Sequence, residues 1–124
     1  MKLPKLYADA YELGLRIFQR TKNFPKHFRP TLGRRLEEAG MDLTLRVRLA
    51  MVEGKTRAAG VPSQLHEASS RLDDIRIMLQ MSHDLGILTG PAYGELSELT
   101  GGVGAQIGGL LKFRSAPNAP ENQP

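Results

Sequence analysis

Cysteine is absent from all 124 residues, which excludes disulfides and thiolate metal sites and leaves no mark of an oxidising compartment. Long apolar runs are missing too. The N-terminal MKLPKLYADAYELG holds no uninterrupted apolar stretch of signal-peptide length. The longest uncharged stretch in the folded-looking part, between Glu98 and Lys112, is rich in glycine and far too short for a bilayer. A soluble cytoplasmic protein without membrane contact is the expectation. Chemistry is equally scarce. No two of His27, His66 and His83 stand four residues apart, and no Glu-x-x-His pair occurs, so neither a metal site nor a di-iron centre is expected. The glycine-rich run GGVGAQIGG at 101–109 lacks the Lys-Ser/Thr ending and the preceding strand of a phosphate loop. Ser69, Ser70, Ser82 and Ser97 have no identifiable base beside them. A non-enzymatic protein without a cofactor follows.

Acid is missing locally. From Arg16 to Arg35 the chain carries seven cations (Arg16, Arg20, Lys22, Lys26, Arg29, Arg34 and Arg35), with His27 among them and no Asp or Glu. This stretch contains FPKHFRPTLGRRL, residues 24–36, where two prolines separate one amphipathic segment from the next. Residues 1–57 hold thirteen Lys and Arg against six acids, and residues 58–124 hold four against seven, so the net charge of +4 divides into +7 and −3. An unbalanced corner points to anions supplied from outside the chain, whether nucleic acid or an acidic partner; a solvated charged turn reads the same way on charge alone.

The apolar residues that are present recur at three and four and never alternate long enough for a strand, which predicts an all-α protein. Leu6, Ala10, Leu13 and Ile17 form one stripe of a helix over about 4–22, and Tyr7, Tyr11, Gly14 and Phe18 form a second beside it that should also be buried. A second helix from Pro30 to a stop at Gly54 carries Leu32, Leu36, Leu43, Val47 and Met51. KTRAAGVPS at 55–63 reads as a flexible connection with Ser63 as a cap. The third helix then presents Leu65, Ala68, Leu72, Ile75, Leu79 and Ser82. Asp84-Leu85-Gly86 ends it, and Thr89-Gly90-Pro91 opens a fourth with Ala92, Leu96, Leu99, Val103, Ile107 and Leu110. These helices imply an antiparallel up-down-up-down four-helix bundle over 1–114 and a disordered tail over 115–124. Apolar side chains remain after one core is filled. Met41, Leu45 and Leu49 on the second helix and Ile77, Met78 and Met81 on the third therefore suggest an interface with another subunit. Gly104 and Gly108, four apart inside a helix where each glycine costs about 1 kcal/mol, suggest close approach of a neighbouring helix or subunit.

FPKHFRPTLGRRL, EEAGMDLTLRVRLAMVEGKTRAA, LDDIRIMLQMSHDLGILTGPAYGELSEL and IGGLLKF together resemble a four-helix bundle family over about residues 5–113. That family joins the accessory variability determinant (Avd) of diversity-generating retroelements to proteins encoded in intervening sequences of bacterial large-subunit ribosomal RNA genes. The resemblance is closer to the Avd-like branch, because the ribosomal branch favours an apolar-Pro-Ala-Asn-Ile stretch where this chain has Thr44-Leu45-Arg46-Val47-Arg48. It implies a homopentameric barrel of bundles with a basic surface, working beside a reverse transcriptase and its RNA template.

Arg16, Arg20, Lys22, Lys26, Arg29, Arg34 and Arg35 are accordingly the candidate contacts for RNA or DNA phosphates, which give sequence-independent, salt-sensitive affinity. Phe24 and Phe28 sit among them. They can stack on unpaired bases or staple the corner into the core, and a turn between helices calls for the staple.

Overall fold

The structure, a computed structural model, describes residues 3–56 and 63–115, with side chains described over 4–53 and 63–112. Four α-helices follow one another, α1 Leu3–Thr21, α2 Arg34–Thr56, α3 Ser63–Asp84 and α4 Gly90–Ser115, and the described residues contain no strand. Each helix packs on the next, and α4 closes against α1. The result is an antiparallel four-helix bundle around one core.

The stripes that recur at three and four fill that core. Leu6, Ala10, Leu13 and Ile17 meet Leu36, Leu43, Val47, Leu65, Leu72, Ile75, Leu79, Leu96, Val103 and Ile107, all essentially without solvent contact. Burying one such leucine or isoleucine contributes about 1.5–3 kcal/mol. Leu32, Met51 and Leu99 lie at the margin, partly buried. Two hydroxyls inside the core are satisfied by their own helices. Ser82 donates to the Met78 carbonyl at 2.8 Å and Thr100 to that of Leu96 at 2.6 Å.

The second stripe of α1 departs from expectation. Gly14 is buried and Tyr7 half-buried, but Tyr11 and Phe18 are 51% and 39% exposed. The reason is the crossing of α1 with α2. A Cβ on Gly40 would stand 3.4 Å from the Gly14 Cα and 3.3 Å from Ile17 Cδ1, so the two backbones nearly touch there. The Thr44 hydroxyl lies in the same crossing, 2.9 Å from the Gly40 carbonyl and 3.3 Å from that of Ala10. With the glycines closing the inner side, the bulky side chains beside them are left on the outer lip.

Helix ends follow from local chemistry. Gly86 takes φ +77°, the left-handed conformation that glycine adopts without strain, and the Ile87 amide turns back to the Ser82 carbonyl at 3.0 Å. Thr89 then caps α4, its Oγ1 accepting from the Ala92 amide at 3.3 Å. At the far end α2 runs two residues past Gly54, to Thr56. Of the connection expected at 55–63, residues 57–62 lie outside the described residues. So do residues 116–124 of the expected tail, while Ser115 is the last residue of α4. Among the described residues, no helix is long and apolar enough to cross a membrane.

Candidate nucleic-acid interface

The basic corner is a built scaffold rather than a loose loop. After α1 the Phe24 amide bonds the Thr21 carbonyl at 3.0 Å, and the Pro25 carbonyl accepts from the amides of Phe28 and Arg29 at 2.8 and 3.2 Å. A wide helical turn, Arg29–Gly33, leads into α2 with the Gly33 amide reaching five residues back to the Phe28 carbonyl at 3.0 Å. Pro30 sits at its start, where a missing N–H leaves no bond unmade. Phe24 is 2% exposed and enters the core beside Gly33, whose absent Cβ would lie 3.6 Å from Phe24 Cδ2. Phe28 is partly buried against the core, with His27 edge-on at 5.0 Å. Both phenylalanines therefore staple the corner, and Phe24 presents no face to a base.

On this scaffold Lys22, Lys26, Arg29, Arg34 and Arg35 are exposed. Arg29 is oriented by the bond from its Nε to the Phe24 carbonyl at 3.0 Å, which leaves its charge uncompensated by a carboxylate in that contact. Arg34 pairs with Glu38 one turn on, at 3.2 Å, in an arrangement open enough to contribute only a few tenths of a kcal/mol. Arg35 lies on the rim of a cleft of about 530 Å³ between α2 and α3, which Glu38, Asp42, Arg71 and Asp74 also line. Charges in that cleft are mixed, so the positive field belongs to the end of the bundle and not to the cleft.

Arg16 and Arg20 are placed differently from the other five cations. The absence of acid between them and Arg35 is a statement about sequence, and folding brings acid from elsewhere. Arg16 pairs with Glu12 at 2.7 Å and also with Glu95, and Arg20 holds Glu95 through Nη2 at 2.7 Å. Glu95 comes from the second turn of α4, 75 residues beyond Arg20. The antiparallel topology predicts such a meeting, since the end of α1 and the start of α4 share one end of the bundle. Sequence reasoning missed it because that pairing needs the register of two helices far apart in the chain. Thr21 is likewise committed inside the fold, its hydroxyl donating to Glu37 at 2.5 Å. Of the seven cations, Arg16 and Arg20 thus share a carboxylate brought by α4, while Lys22, Lys26, Arg29, Arg34 and Arg35 stand outside that cluster.

The Glu95 cluster has a pH signature. Its carboxyl is held below the ordinary carboxylate range, first by the Arg20 hydrogen bond and then by the charges of Arg20 and Arg16, against partial burial that pushes the other way. Asp9 is also lowered, first by its bond from Lys5 and then by that from Gln106. A carboxyl lowered by folding stabilises the protein above its unfolded value and loses that contribution as pH falls through the folded one. Stability should therefore drop as pH falls below about 4. Glu95→Gln should flatten part of that fall in urea-unfolding midpoints, leaving the Asp9 share; identical pH profiles for the two proteins would show the cluster to be inert.

The candidate subunit contacts separate onto different faces. Met41, Leu45 and Leu49 are 48%, 57% and 42% exposed on α2, where they join Tyr11, Leu15 and Phe18 of α1. Those three α1 residues were not anticipated as surface; their proximity to Gly14 in the helix register is the signal that a close crossing would turn them outward. Ile77 and Met81 are exposed on α3, whereas Met78 is partly buried between α2 and α3. Gly104 belongs to the contact with α3 of its own chain. A Cβ there would collide with the Arg76 guanidinium and stand 3.1 Å from Leu72 Cδ2, so its smallness is explained without a second subunit. Gly108 has open space where a Cβ would be.

Among the described residues no three His, Cys, Asp or Glu side chains come together in a way that would hold a metal ion. His83 instead stacks on Tyr93 at 4.6 Å, and Tyr93 donates to Gln80 at 2.8 Å. No protein-family model matches the chain, and no curated protein matches it in sequence.

Proposed function

We propose that this chain is a non-enzymatic, homo-oligomeric accessory protein that binds RNA or DNA by its phosphates through the α1–α2 corner. The observation that carries this reading is the group of five exposed cations, Lys22, Lys26, Arg29, Arg34 and Arg35, mounted on a hydrogen-bonded corner stapled by Phe24. Rigid presentation matters because ordering long side chains on a loose loop would cost entropy on binding. The resemblance to the Avd-like bundles extends the proposal to a five-membered ring that docks a reverse transcriptase of a diversity-generating retroelement. Repetition of the corner around a ring raises avidity without new contacts in any one copy.

The test is a salt titration of binding to a single-stranded and a duplex oligonucleotide, with mass measured by light scattering in the same buffers. Five phosphate contacts per protomer correspond to log-log slopes of about −3.5 for a single strand and about −4.5 for a duplex. Sequence preference should be slight. A second reading, an interaction bundle of the ribosomal intervening-sequence type with an acidic protein partner, is favoured by one fact: with Phe24 buried and Phe28 half-buried, the corner presents chiefly charge. Polyglutamate as competitor separates the two. Displacement of nucleic acid only by a large excess of polyglutamate supports the first, and absence of nucleic-acid binding at low salt overturns it.

A further inference from the structure

Two apolar surfaces stand uncovered on different sides of the bundle. The first is a groove of about 310 Å³ between α1 and α2, walled by Tyr11, Leu15, Phe18, Met41 and Leu45 over the Gly14–Gly40 crossing. On its floor the Thr44 hydroxyl is already bonded inside the fold, and the phenol hydroxyls of Tyr7 and Tyr11 are the other polar groups of its lining. A lining that is apolar apart from these groups favours an apolar occupant. The second surface is a ridge on α3. Ile77, Met81 and Leu85, at successive four-residue steps, are 60%, 48% and 52% exposed, and the Leu85 amide continues the helix by bonding the Met81 carbonyl at 2.9 Å. Rows at four-residue spacing are the ridges that pack into grooves between helices, and this one extends over roughly 12 Å.

We propose that the occupant of the groove is the α3 ridge of a second copy of this chain, so that copies associate head to tail. This rests on the assembly half of the function proposed above and names the surfaces that carry it. The segments outside the described residues cannot supply the occupant, since apart from Met1 and Val61 residues 1–2, 57–62 and 116–124 carry nothing apolar beyond alanine and proline.

Charge selects a second copy and fixes its orientation. On the groove side the exposed cations include Lys22, four residues after Phe18, and Arg48, three after Leu45, while Arg34 is paired with Glu38. On the ridge side exposed Asp84 stands three after Met81, whereas Asp73, four before Ile77, is paired with exposed Arg76 of its own helix at 3.1 Å. All of α3 carries four acids, Glu67, Asp73, Asp74 and Asp84, against Arg71 and Arg76. Groove against ridge therefore brings opposite charges together. Groove against groove would set Lys22 and Arg48 against their own copies, and like charges at a contact are a deterrent. An interface made of two different patches is heterologous: it propagates until rotation closes a ring, and each copy then has both apolar surfaces covered.

The absence of cysteine makes this directly testable. Single variants Leu45→Cys and Met81→Cys place thiols at the groove and the ridge, both at exposed positions where cysteine should leave the fold intact, as circular dichroism checks. A short bismaleimide bridges neighbouring thiols without requiring disulfide geometry. Head-to-tail contact predicts a covalent dimer when the two variants are mixed, none with either alone, and a ladder of higher species from the double variant. Crosslinking of Leu45→Cys alone as efficiently as in the mixture overturns the proposal in favour of a symmetric groove-to-groove pair. So does an uncrosslinked mixture when light scattering shows an oligomer, an outcome that leaves the assembly reading standing. A lone 13.7 kDa species at tens of micromolar overturns both.

Discussion

Phe24→Ala is expected to lower stability by about 3–5 kcal/mol, the cost of emptying a fully buried aromatic site that its surroundings cannot close. Among the described residues Phe24 is the largest of the side chains with almost no exposure, and of the largest such side chains it alone is contributed by the corner rather than by a helix. Little around it can move in. On one side lies Gly33, which has no side chain to swing into the void, and on the other the Thr21 hydroxyl is tied to Glu37. For a domain of this size the loss corresponds to a fall in Tm of roughly 10–20 °C. Urea unfolding should show a lower midpoint with an unchanged slope, since the surface exposed on unfolding is nearly the same. Because the carbonyl of residue 24 accepts the Arg29 Nε, a loosened corner should also weaken nucleic-acid binding under conditions where the variant is still folded. A change of less than 1 kcal/mol would mean that the corner adjusts freely, and the rigid presentation of its cations would lose its basis.

Core positions were legible in the sequence because helix periodicity is a local property. The six α3 residues placed on one stripe are the six that the structure buries, and Gly86 and Thr89 end and begin their helices for reasons contained within five residues. Three features escaped the same reasoning, each for a physical reason of its own. The outer stripe of α1 looked like core because tyrosine and phenylalanine are apolar, yet its fate depends on how closely Gly14 approaches Gly40 in another helix. Glu95 escaped because ion pairing across α1 and α4 depends on relative height in the bundle, which no single segment encodes. Gly104 was left between a neighbouring helix and a neighbouring subunit because a glycine in a helix signals a close neighbour without saying whose; in this chain Arg76 and Leu72 of α3 lie beside it. Local chemistry is thus readable residue by residue, while the charge that a surface finally presents is settled by tertiary register.

That distinction is what charge reversal at the corner tests. Changing Arg34 and Arg35 together to Glu should lower affinity for RNA or DNA by about tenfold or more at low salt and reduce the log-log salt slope by about 1.4–1.8, two phosphate contacts' worth. The fold should survive. Both residues are exposed, so the cost is chiefly the few tenths of a kcal/mol lost when residue 34 faces Glu38 with like charge. Arg16 and Arg20 make the comparison informative, because both already hold Glu95. Charge reversal there should reduce the slope by less than reversal at 34 and 35, and Glu95→Gln, by releasing two guanidinium groups, should raise affinity and steepen the slope. Affinity, circular dichroism and mass measured on all three variants separate the outcomes. Equal losses from both arginine pairs would mean that phosphates displace Glu95 and that the binding track continues down α1. Unchanged affinity for the Arg34→Glu, Arg35→Glu protein, with normal helicity and oligomer size, would remove the corner from the binding surface and leave an acidic protein as the partner its charge was built to meet.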